Sequence, residues 1–424
     1  MNRPSVSTRA AVFGTAVLAL AACASTPPQS GASSATATTT TTTSGAYTWW
    51  DPYPQHDANS AWAKRVDTCG GQAGVTIQRT AYDTTALTNQ ALLAGQEGNA
   101  PDVILLDNPA VSTLADAGML TTMADFGLDT SRFDKNLIAA GELDGKTYGI
   151  PIGSNTLALY YNKKILDEAG VDPVSIKDWA SFDAALKKVK AAGKKPITFA
   201  AIGTEEGSFQ FLPWFWGAGA QLTQLDSPQA VEALTLWTSW VKDGIAPNSV
   251  ISNSQNTTWE EFLTGEFAFA ENGTWQINSA AKADFPTGIV QIPGKDGGVA
   301  PTPTGGEFIT VPVQKDTARY AVTKRILECM TTPEGLVETG TTFAYYIPST
   351  AAGQEAILAK EATLKPWVEA VRSAKGRTSD NLGTDYPKIS EALWTGVQKA
   401  LSGSASPADA LKQAQGQAKQ ATGN

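Results

Sequence analysis

The sequence predicts an α/β protein built from two lobes. Strands with unbroken apolar centres, such as residues 101–107, alternate with helical segments, a pattern typical of parallel sheets covered on both faces. About 400 residues follow position 23, and 42% of the chain is hydrophobic, which is enough for two domains of ordinary size. A punctuated extended stretch, residues 145–162 (GKTYGIPIGSNTLALYYN), is typical of a chain that leaves one compact unit and enters another.

The stretch 145–162 has three parts. Asp144 and Gly145 predict a tight turn, because Asp-Gly supplies the positive φ that such turns need. A short extended piece follows, and residues 156–162 form an apolar, β-rich run that predicts a buried strand. We interpret the stretch as a crossing between lobes with Ser154 and Asn155 at the mouth of a cleft. A hairpin within one sheet is the alternative.

The first lobe is predicted over residues 46–144 as a doubly wound unit. Its strands and helices alternate in the order strand 46–50, helix 58–68, strand 75–79, helix 84–95, strand 101–107 and helix 109–118. In this architecture ligands bind beyond the carboxyl ends of strands. Those ends carry Trp49, Trp50, Asp51, Asp107 and Asn108.

The remainder of the chain predicts a second set of elements. The helices are expected at 163–170, 181–192, 227–243, 258–264 and 318–331, and residues 364–420 are expected to be helical. Strands or extended pieces are expected at 195–200, 265–270, 307–313 and 345–348. The aromatic segment 208–219 (SFQFLPWFWGAG) receives no element, and residues 294–306 form a Gly/Pro-rich linker.

The N-terminus predicts export and lipid attachment. Residues 1–22 have a basic start, an apolar middle and small residues at the end, which is typical of a secretory signal too short to span a bilayer. The signal ends in Leu-Ala-Ala-Cys, which resembles the bacterial lipobox in which Cys23 is lipidated and becomes the mature N-terminus. An ordinary signal with a coincidental cysteine is the alternative. Residues 23–45 are Thr-, Ser-, Ala- and Pro-rich and predict a disordered tether.

Composition and motifs exclude several classes of function. The net charge of −9 and the pI of about 4.9 disfavour nucleic acid and a polybasic contact with anionic lipid. The only histidine, His56, lies in a polar loop, and no catalytic set, metal cluster or P-loop is visible. The sequence therefore predicts no enzyme, no cofactor and no metal. Cys69 and Cys329 are either one disulfide or two separate buried thiols.

Four segments resemble the extracellular solute-binding proteins of carbohydrate ABC importers, the maltose-binding-protein-like group. They are GKTYGIPIGSNTLALYYNKKIL, GEFAFAENGTWQI at 265–277, GGEFITVP at 305–312, and the C-terminal helical stretch 386–417. The resemblance implies the type II periplasmic-binding-protein fold, with two doubly wound α/β lobes joined by a three-crossing hinge. Lobe one would comprise 46–152 plus 308–346, and lobe two 153–307 plus 347–424. Since Cys69 and Cys329 would then share lobe one, the resemblance favours their pairing.

The candidate ligand-binding residues follow from the chemistry of sugars, whose C–H faces stack on aromatic rings and whose hydroxyls need fixed polar partners. The stacking candidates are Trp49, Trp50, Trp214, Trp216 and Trp275, and core packing is the alternative for each. Trp275 matches the family's stacking position. The polar candidates are Asp51, Asp107, Asn108, Asn155, Glu307, Tyr346 and Arg377. Asp107 and Asn108 are alternatively helix caps, and Glu307 an exposed hinge carboxylate.

The predicted function is capture of a neutral saccharide, of two or more rings, and its delivery to an ABC permease. The protein would be a monomer, lipid-anchored on the extracellular face of the membrane of a Gram-positive bacterium. A lipid-anchored glycoside hydrolase is the first alternative, because carboxylates are plentiful and two of them suffice for that reaction. A binder of a glycerol-phosphate diester or a peptide is the second.

Overall fold

The computed structural model describes residues 46–342 and 345–423. The predictions of a signal peptide, a lipidated Cys23 and a tether lie outside the described residues. The strands are β1 (Tyr47–Asp51), β2 (Ile77–Ala81), β3 (Val103–Asp107), β4 (Glu142–Leu143), β5 (Lys146–Thr147), β6 (Gly149–Pro151), β7 (Leu157–Asn162), β8 (Lys195–Thr198), β9 (Phe267–Gly273), β10 (Thr287–Val290) and β11 (Glu307–Thr310).

The described helices surround these strands, and none of them is long and apolar enough to span a bilayer. They are α1 (Ala61–Gln72), α2 (Thr84–Glu97), α3 (Asn108–Asp116), α4 (Lys135–Ile138), α5 (Lys163–Ala169), α6 (Trp179–Ala191), α7 (Glu205–Gly217), α8 (Pro228–Lys242), α9 (Gln255–Leu263), α10 (Ile277–Ala280), α11 (Tyr320–Met330), α12 (Pro333–Thr342), α13 (Ala351–Lys360), α14 (Lys365–Ser373), α15 (Tyr386–Leu401) and α16 (Pro407–Thr422).

A five-stranded sheet with the order β2-β1-β3-β11-β6 forms the centre of the first lobe. Strand β1 is parallel to β2 and β3, whereas β11 runs antiparallel to β3 and β6. The unbroken apolar centre of β3 is buried, as expected for a strand covered on both faces. The interleaved helices thus predicted the parallel part of the sheet, while the returning strand adds an antiparallel part.

A four-stranded sheet with the order β10-β7-β9-β8 forms the centre of the second lobe. Strand β8 is parallel to β9, and β7 is antiparallel to both β9 and β10. The core beside this sheet is aromatic: Trp214 stacks on Phe182, with ring centroids 5.8 Å apart, and meets Trp240 edge-on at 5.0 Å. Of the residues 208–219, which received no element from the sequence, 208–217 belong to helix α7. Because α7 is apolar on nearly every side, it has no amphipathic pattern to detect and is buried along most of its length.

Residues 145–162 pass from one sheet to the other. Strand β6 pairs with β11 in the first sheet, and β7 pairs with β9 in the second. The alternative of a hairpin within one sheet is therefore wrong. Two further segments run beside this crossing, because Asn155 bridges to Gly305 and Ser154 bridges to Ile347.

Glycines allow the three crossings to approach closely. Gly153 has a φ of 155°, and a Cβ there would lie 2.7 Å from the Cβ of Tyr346. Gly306 has a φ of 104°, and its added Cβ would meet the carbonyl oxygen of Gly153 at 3.0 Å. A residue with a side chain at either position would therefore require the hinge to shift. The lobe boundaries named above remain a prediction.

The C-terminal residues are less continuous than the sequence suggests. The expectation that 364–420 is helical is wrong for residues 374–382, which form the loop between α14 and the short turn before α15, and for residues 402–406 between α15 and α16. The loop 374–382 carries Arg377 and packs on the first lobe, where Thr378 donates to the Ala140 carbonyl. On the first lobe a disulfide joins Cys69 of α1 to Cys329 of α11, with Cα atoms 5.6 Å apart.

Candidate functional site

A cleft of about 800 Å³ lies beside the three crossings. Its walls come from the loop after β1, the end of β3, the start of α7, the turn after β9, the crossings and the loop 374–382. Of the candidates from the sequence, six line it: Asp107, Asn155, Trp275, Glu307, Tyr346 and Arg377. The other lining residues are Tyr53, Gln55, His56, Thr84, Gly203, Thr204, Glu205, Glu206, Phe209, Gln255, Gly305, Gly306 and Trp394.

Glu307 is the polar centre of the hinge. It is the first residue of β11, and its Oε2 accepts hydrogen bonds from the hydroxyls of Tyr53 and Tyr346. Burial, followed by the charge of Asp107, raises the pKa of Glu307 to about 7. Burial and Glu307 raise the pKa of both tyrosines well above 10, so their hydroxyls remain donors at neutral pH. Glu307 is therefore held by lobe one and by the third crossing at once.

Arg377 joins the two lobes across the cleft. Its Nη2 donates to Asp107 at 3.1 Å and to the Oδ1 of Asn108 at 2.9 Å, and its Nη1 donates to Glu205 at 2.7 Å. Glu205 also accepts from the hydroxyls of Tyr386 and Ser390. Burial lowers the pKa of Arg377, but the two carboxylates outweigh that effect and raise it above the usual value. The guanidinium is thus charged and already paired.

Asp107 serves the fold and the cleft together, whereas Asn108, the other candidate from the sequence, is buried and does not line the cleft. Asp107 is the N-cap of α3, where its carboxylate accepts from the Asn108 amide. Asn108 is buried, and its side-chain amide donates to the Thr304 carbonyl. The capping alternative is therefore correct for Asp107, which nevertheless presents its carboxylate to the cleft and to Arg377.

An aromatic wall of three residues, Phe209, Trp275 and Trp394, also lines the cleft. Phe209 of α7 and Trp275 have ring centroids 6.3 Å apart with planes inclined by 49°, and Trp394 of α15 lines the same cleft. The Arg377 guanidinium lies 5.0 Å from the centre of the Phe209 ring, which connects this wall to the charged group.

Trp275 owes its position to the glycine before it. A Cβ on Gly273 would lie 2.0 Å from the six-membered ring of Trp275, so the indole covers the backbone where β9 ends. Trp275 is half-buried, whereas the tryptophans in the core of the second lobe, such as Trp214, are buried. The Asn-Gly-Thr-Trp turn thus leaves an indole at the edge of the cleft.

Four tryptophans that we selected from the sequence do not line the cleft. Trp49 is fully buried, and Trp50 packs edge-on against Tyr82 with ring centroids 5.3 Å apart. Trp214 is fully buried in the core of the second lobe, and Trp216 is 6% exposed, with Lys375 5.4 Å from its ring. Trp214 and Trp216 lie in the protein interior, because helix α7 is buried along most of its length.

Asp51 is also a structural residue rather than a cleft residue. Its carboxylate is fully buried and accepts from the indoles of Trp49 and Trp62, at 3.1 and 2.9 Å. Arg79 forms two further bonds to the same carboxylate, and the Tyr53 amide a fifth. With these donors the carboxylate is satisfied inside the protein and holds the loop that brings Tyr53 to Glu307.

Sequence reasoning missed Tyr53, Glu205, Phe209 and Trp394. Tyr53 follows the Trp-Trp-Asp-Pro turn, and Phe209 lies in the unassigned aromatic segment. A helix predicted for that segment and extended three residues upstream would have included both Glu205 and Phe209. No local signal separates Trp394 from a core residue of an amphipathic helix.

The cleft offers no group of side chains suited to a metal. Within the residues described, no cluster of three or more histidine, cysteine or acidic residues has metal-binding geometry. Burial and Arg79 lower the pKa of His56, so this imidazole is neutral at pH 7. The site can therefore offer hydrogen bonds, carboxylate charge and aromatic faces.

Comparison with known proteins places the chain in a family. A model of the bacterial extracellular solute-binding proteins matches residues 64–366. The chain is 28% identical over 173 residues to a putative binding protein of Brucella abortus (38% of this chain, 41% of the relative), so the match spans less than half of that relative. It is 24% identical over 323 residues to a maltotriose-binding protein of Pyrococcus abyssi (74% and 68%).

Solved structures share the fold. The crystal structure of a cyclic α-maltosyl-1,6-maltose binding protein from Arthrobacter globiformis superposes with a TM-score of 0.74 at 24% identity, covering 89% of this chain and 98% of that one. This likeness confirms the predicted two-lobed, type II periplasmic-binding-protein fold. With the family match over most of the described residues, the chain belongs to the bacterial extracellular solute-binding proteins.

Proposed function

We propose that the protein captures a saccharide, of two or more rings, in the cleft between its lobes. The observation that carries this proposal is the presence of an aromatic wall, Phe209, Trp275 and Trp394, and of fixed polar groups in the same cleft. Aromatic faces stack on the C–H faces of sugars, and carboxylates and amides suit their hydroxyls. A cleft of about 800 Å³ is large enough for a ligand of that size.

We further propose that the lobes close around the ligand and that an ABC permease receives it. The ligand would contact Trp275 from one lobe and Asp107 from the other, so closure follows from contacts that exist only in the closed state. Because the three crossings are short and contain close glycine contacts, bending would concentrate there.

We propose that Cys23 carries the lipid that holds the protein outside the cell. Its position directly after the apolar signal segment supports this. Replacing Cys23 with Ser should move the protein from the membrane fraction to the medium, and a variant that stays in the membrane fraction would refute lipid attachment at this cysteine.

A thermal-shift screen of the full chain in mild detergent, against mono-, di- and oligosaccharides, tests saccharide binding. A ligand that binds only the folded state raises the melting temperature. We expect a large shift with at least one saccharide, a smaller one for Trp275→Ala, and an unchanged saccharide on chromatography. Lack of any shift would refute the saccharide as ligand.

The same screen separates binding from hydrolysis. Four carboxylates line the cleft (Asp107, Glu205, Glu206 and Glu307), and a glycoside hydrolase needs two of them on either side of a sugar bond. Release of shorter saccharides, abolished by the corresponding amide variants, would make the protein a hydrolase instead.

A further inference from the structure

The charges that line the cleft are strongly unbalanced. Asp107, Glu205, Glu206 and Glu307 contribute four carboxylates, and Arg377 is the one arginine or lysine among the lining residues that the structure describes. The Arg377 guanidinium is buried and already bonded to Asp107 and Glu205. Fully ionised, the lining residues therefore carry three negative charges in excess.

Two basic side chains near the cleft, His56 and Arg79, do not remove this excess. His56, the single histidine of the cleft, has a lowered pKa because of its burial and the nearby Arg79, and is neutral. Arg79 itself is paired with the buried Asp51, so that pair adds no net charge. The nearest partners of Glu206 and Glu307 are neutral donors, namely the Gln255 amide for Glu206 and two tyrosine hydroxyls for Glu307.

Closing such a cleft on a neutral sugar would bury like charges together. Burial, and secondarily the charge of Asp107, already raises the pKa of Glu307, so a further loss of solvent would oppose its ionised form. A positively charged ligand group would relieve the repulsion between like charges, because an ammonium in a desolvated cleft is attracted by every carboxylate around it. The aromatic wall adds to this preference, since ring faces attract cations as well as C–H groups.

We propose that the preferred ligand is a saccharide that bears a protonated amine, held between the aromatic wall and the carboxylates Glu206 and Glu307. This proposal rests on the proposed saccharide-binding function and narrows its substrate class. It departs from the neutral sugar expected from the sequence, because only the folded chain shows which charges face the cleft.

Matched pairs of sugars test the proposal by titration calorimetry on the full chain in mild detergent at about pH 7. The pairs are glucose and glucosamine, cellobiose and the corresponding glucosamine disaccharide, and trehalose and its monoamino analogue. We expect at least one amine to bind about tenfold more tightly than its neutral partner at low salt, and added salt to reduce that ratio.

Two variants locate the effect. Glu206→Gln retains an acceptor for the Gln255 amide but removes the charge, and we expect it to reduce the preference for the amine several-fold. Glu355→Gln removes the same charge from an exposed position on α13, outside the cleft, and should leave the preference unchanged. An equal loss in both variants would assign the preference to net charge and overturn the proposed site.

The outcomes distinguish failure of the amine proposal from failure of the proposed saccharide-binding function. If no amine in these pairs binds, or if each neutral sugar binds as tightly as its amine, the amine proposal is wrong, while any neutral saccharide that binds leaves the saccharide function standing. If neither these sugars nor the wider saccharide panel binds, the proposed function itself is wrong.

Discussion

Replacing Glu307 with Gln should change the stability of the protein in a pH-dependent way. The free energy of unfolding of the variant, relative to that of the parent, should be higher at alkaline pH than at acid pH. In the folded protein the pKa of Glu307 is raised from 4.5 to about 7 by burial and by Asp107. Between these values the folded state holds a proton that the unfolded state has lost, so the parent loses stability as pH rises from 4.5 to 7. The parent's loss of stability amounts to about 3 kcal/mol. It is absent below pH 4.5 and complete above pH 7.

Urea unfolding of the parent and of Glu307→Gln at about pH 5 and pH 8 measures this effect. We expect the free energy of unfolding of the variant, relative to that of the parent, to increase by about 2–3 kcal/mol between the two pH values. Titrating groups that do not interact with Glu307 contribute equally to both proteins and cancel. The exposed Glu355→Gln serves as control for the removal of one carboxylate charge away from the hinge. Parallel pH profiles for parent and Glu307→Gln would refute the perturbed carboxyl at the hinge.

Three other predictions concern the cleft, the core of the second lobe and the disulfide. Trp394→Ala should weaken saccharide binding by about 1 kcal/mol, measured by calorimetry, with an unchanged melting temperature, since a stacking face is lost without a core cavity. Trp214→Ala should instead lower the free energy of unfolding by about 3–5 kcal/mol, because it empties a core site and removes the indole that donates to the buried Glu271; a stable variant that loses only binding would contradict this assignment. Alkylation and mass mapping of the unreduced, denatured chain should leave Cys69 and Cys329 unmodified, and reduction should lower stability by about 2–5 kcal/mol; labelled thiols at both positions would refute the bridge.

The sequence predicted those parts of the fold that local pattern determines. The apolar run of β3 between helices identified the first sheet, and the punctuated stretch 145–162 identified the first crossing, because Gly and Pro mark breaks wherever they occur. Helix α7 was missed, since a helix buried on all sides has the composition of a core but no periodic polar face.

The cleft was harder to predict than the fold because it depends on contacts distant in sequence. Trp214 and Trp275 look alike as sequence, yet one fills the core and the other lies over Gly273 at the cleft edge. Asp51 ends a strand just as Asp107 does, but Arg79 and two indoles bind its carboxylate. Whether a polar group is exposed to solvent therefore depends on such partners, some of which are distant in sequence.

The central claim, that the cleft binds a saccharide against its aromatic wall, is tested most directly by calorimetric titration of parent and Trp275→Ala with the best saccharide from the screen. We predict one site per chain in the parent and an affinity at least about fivefold lower in the folded variant, from lost stacking of about 1 kcal/mol. Equal affinity in parent and folded variant would place the ligand elsewhere and contradict the account.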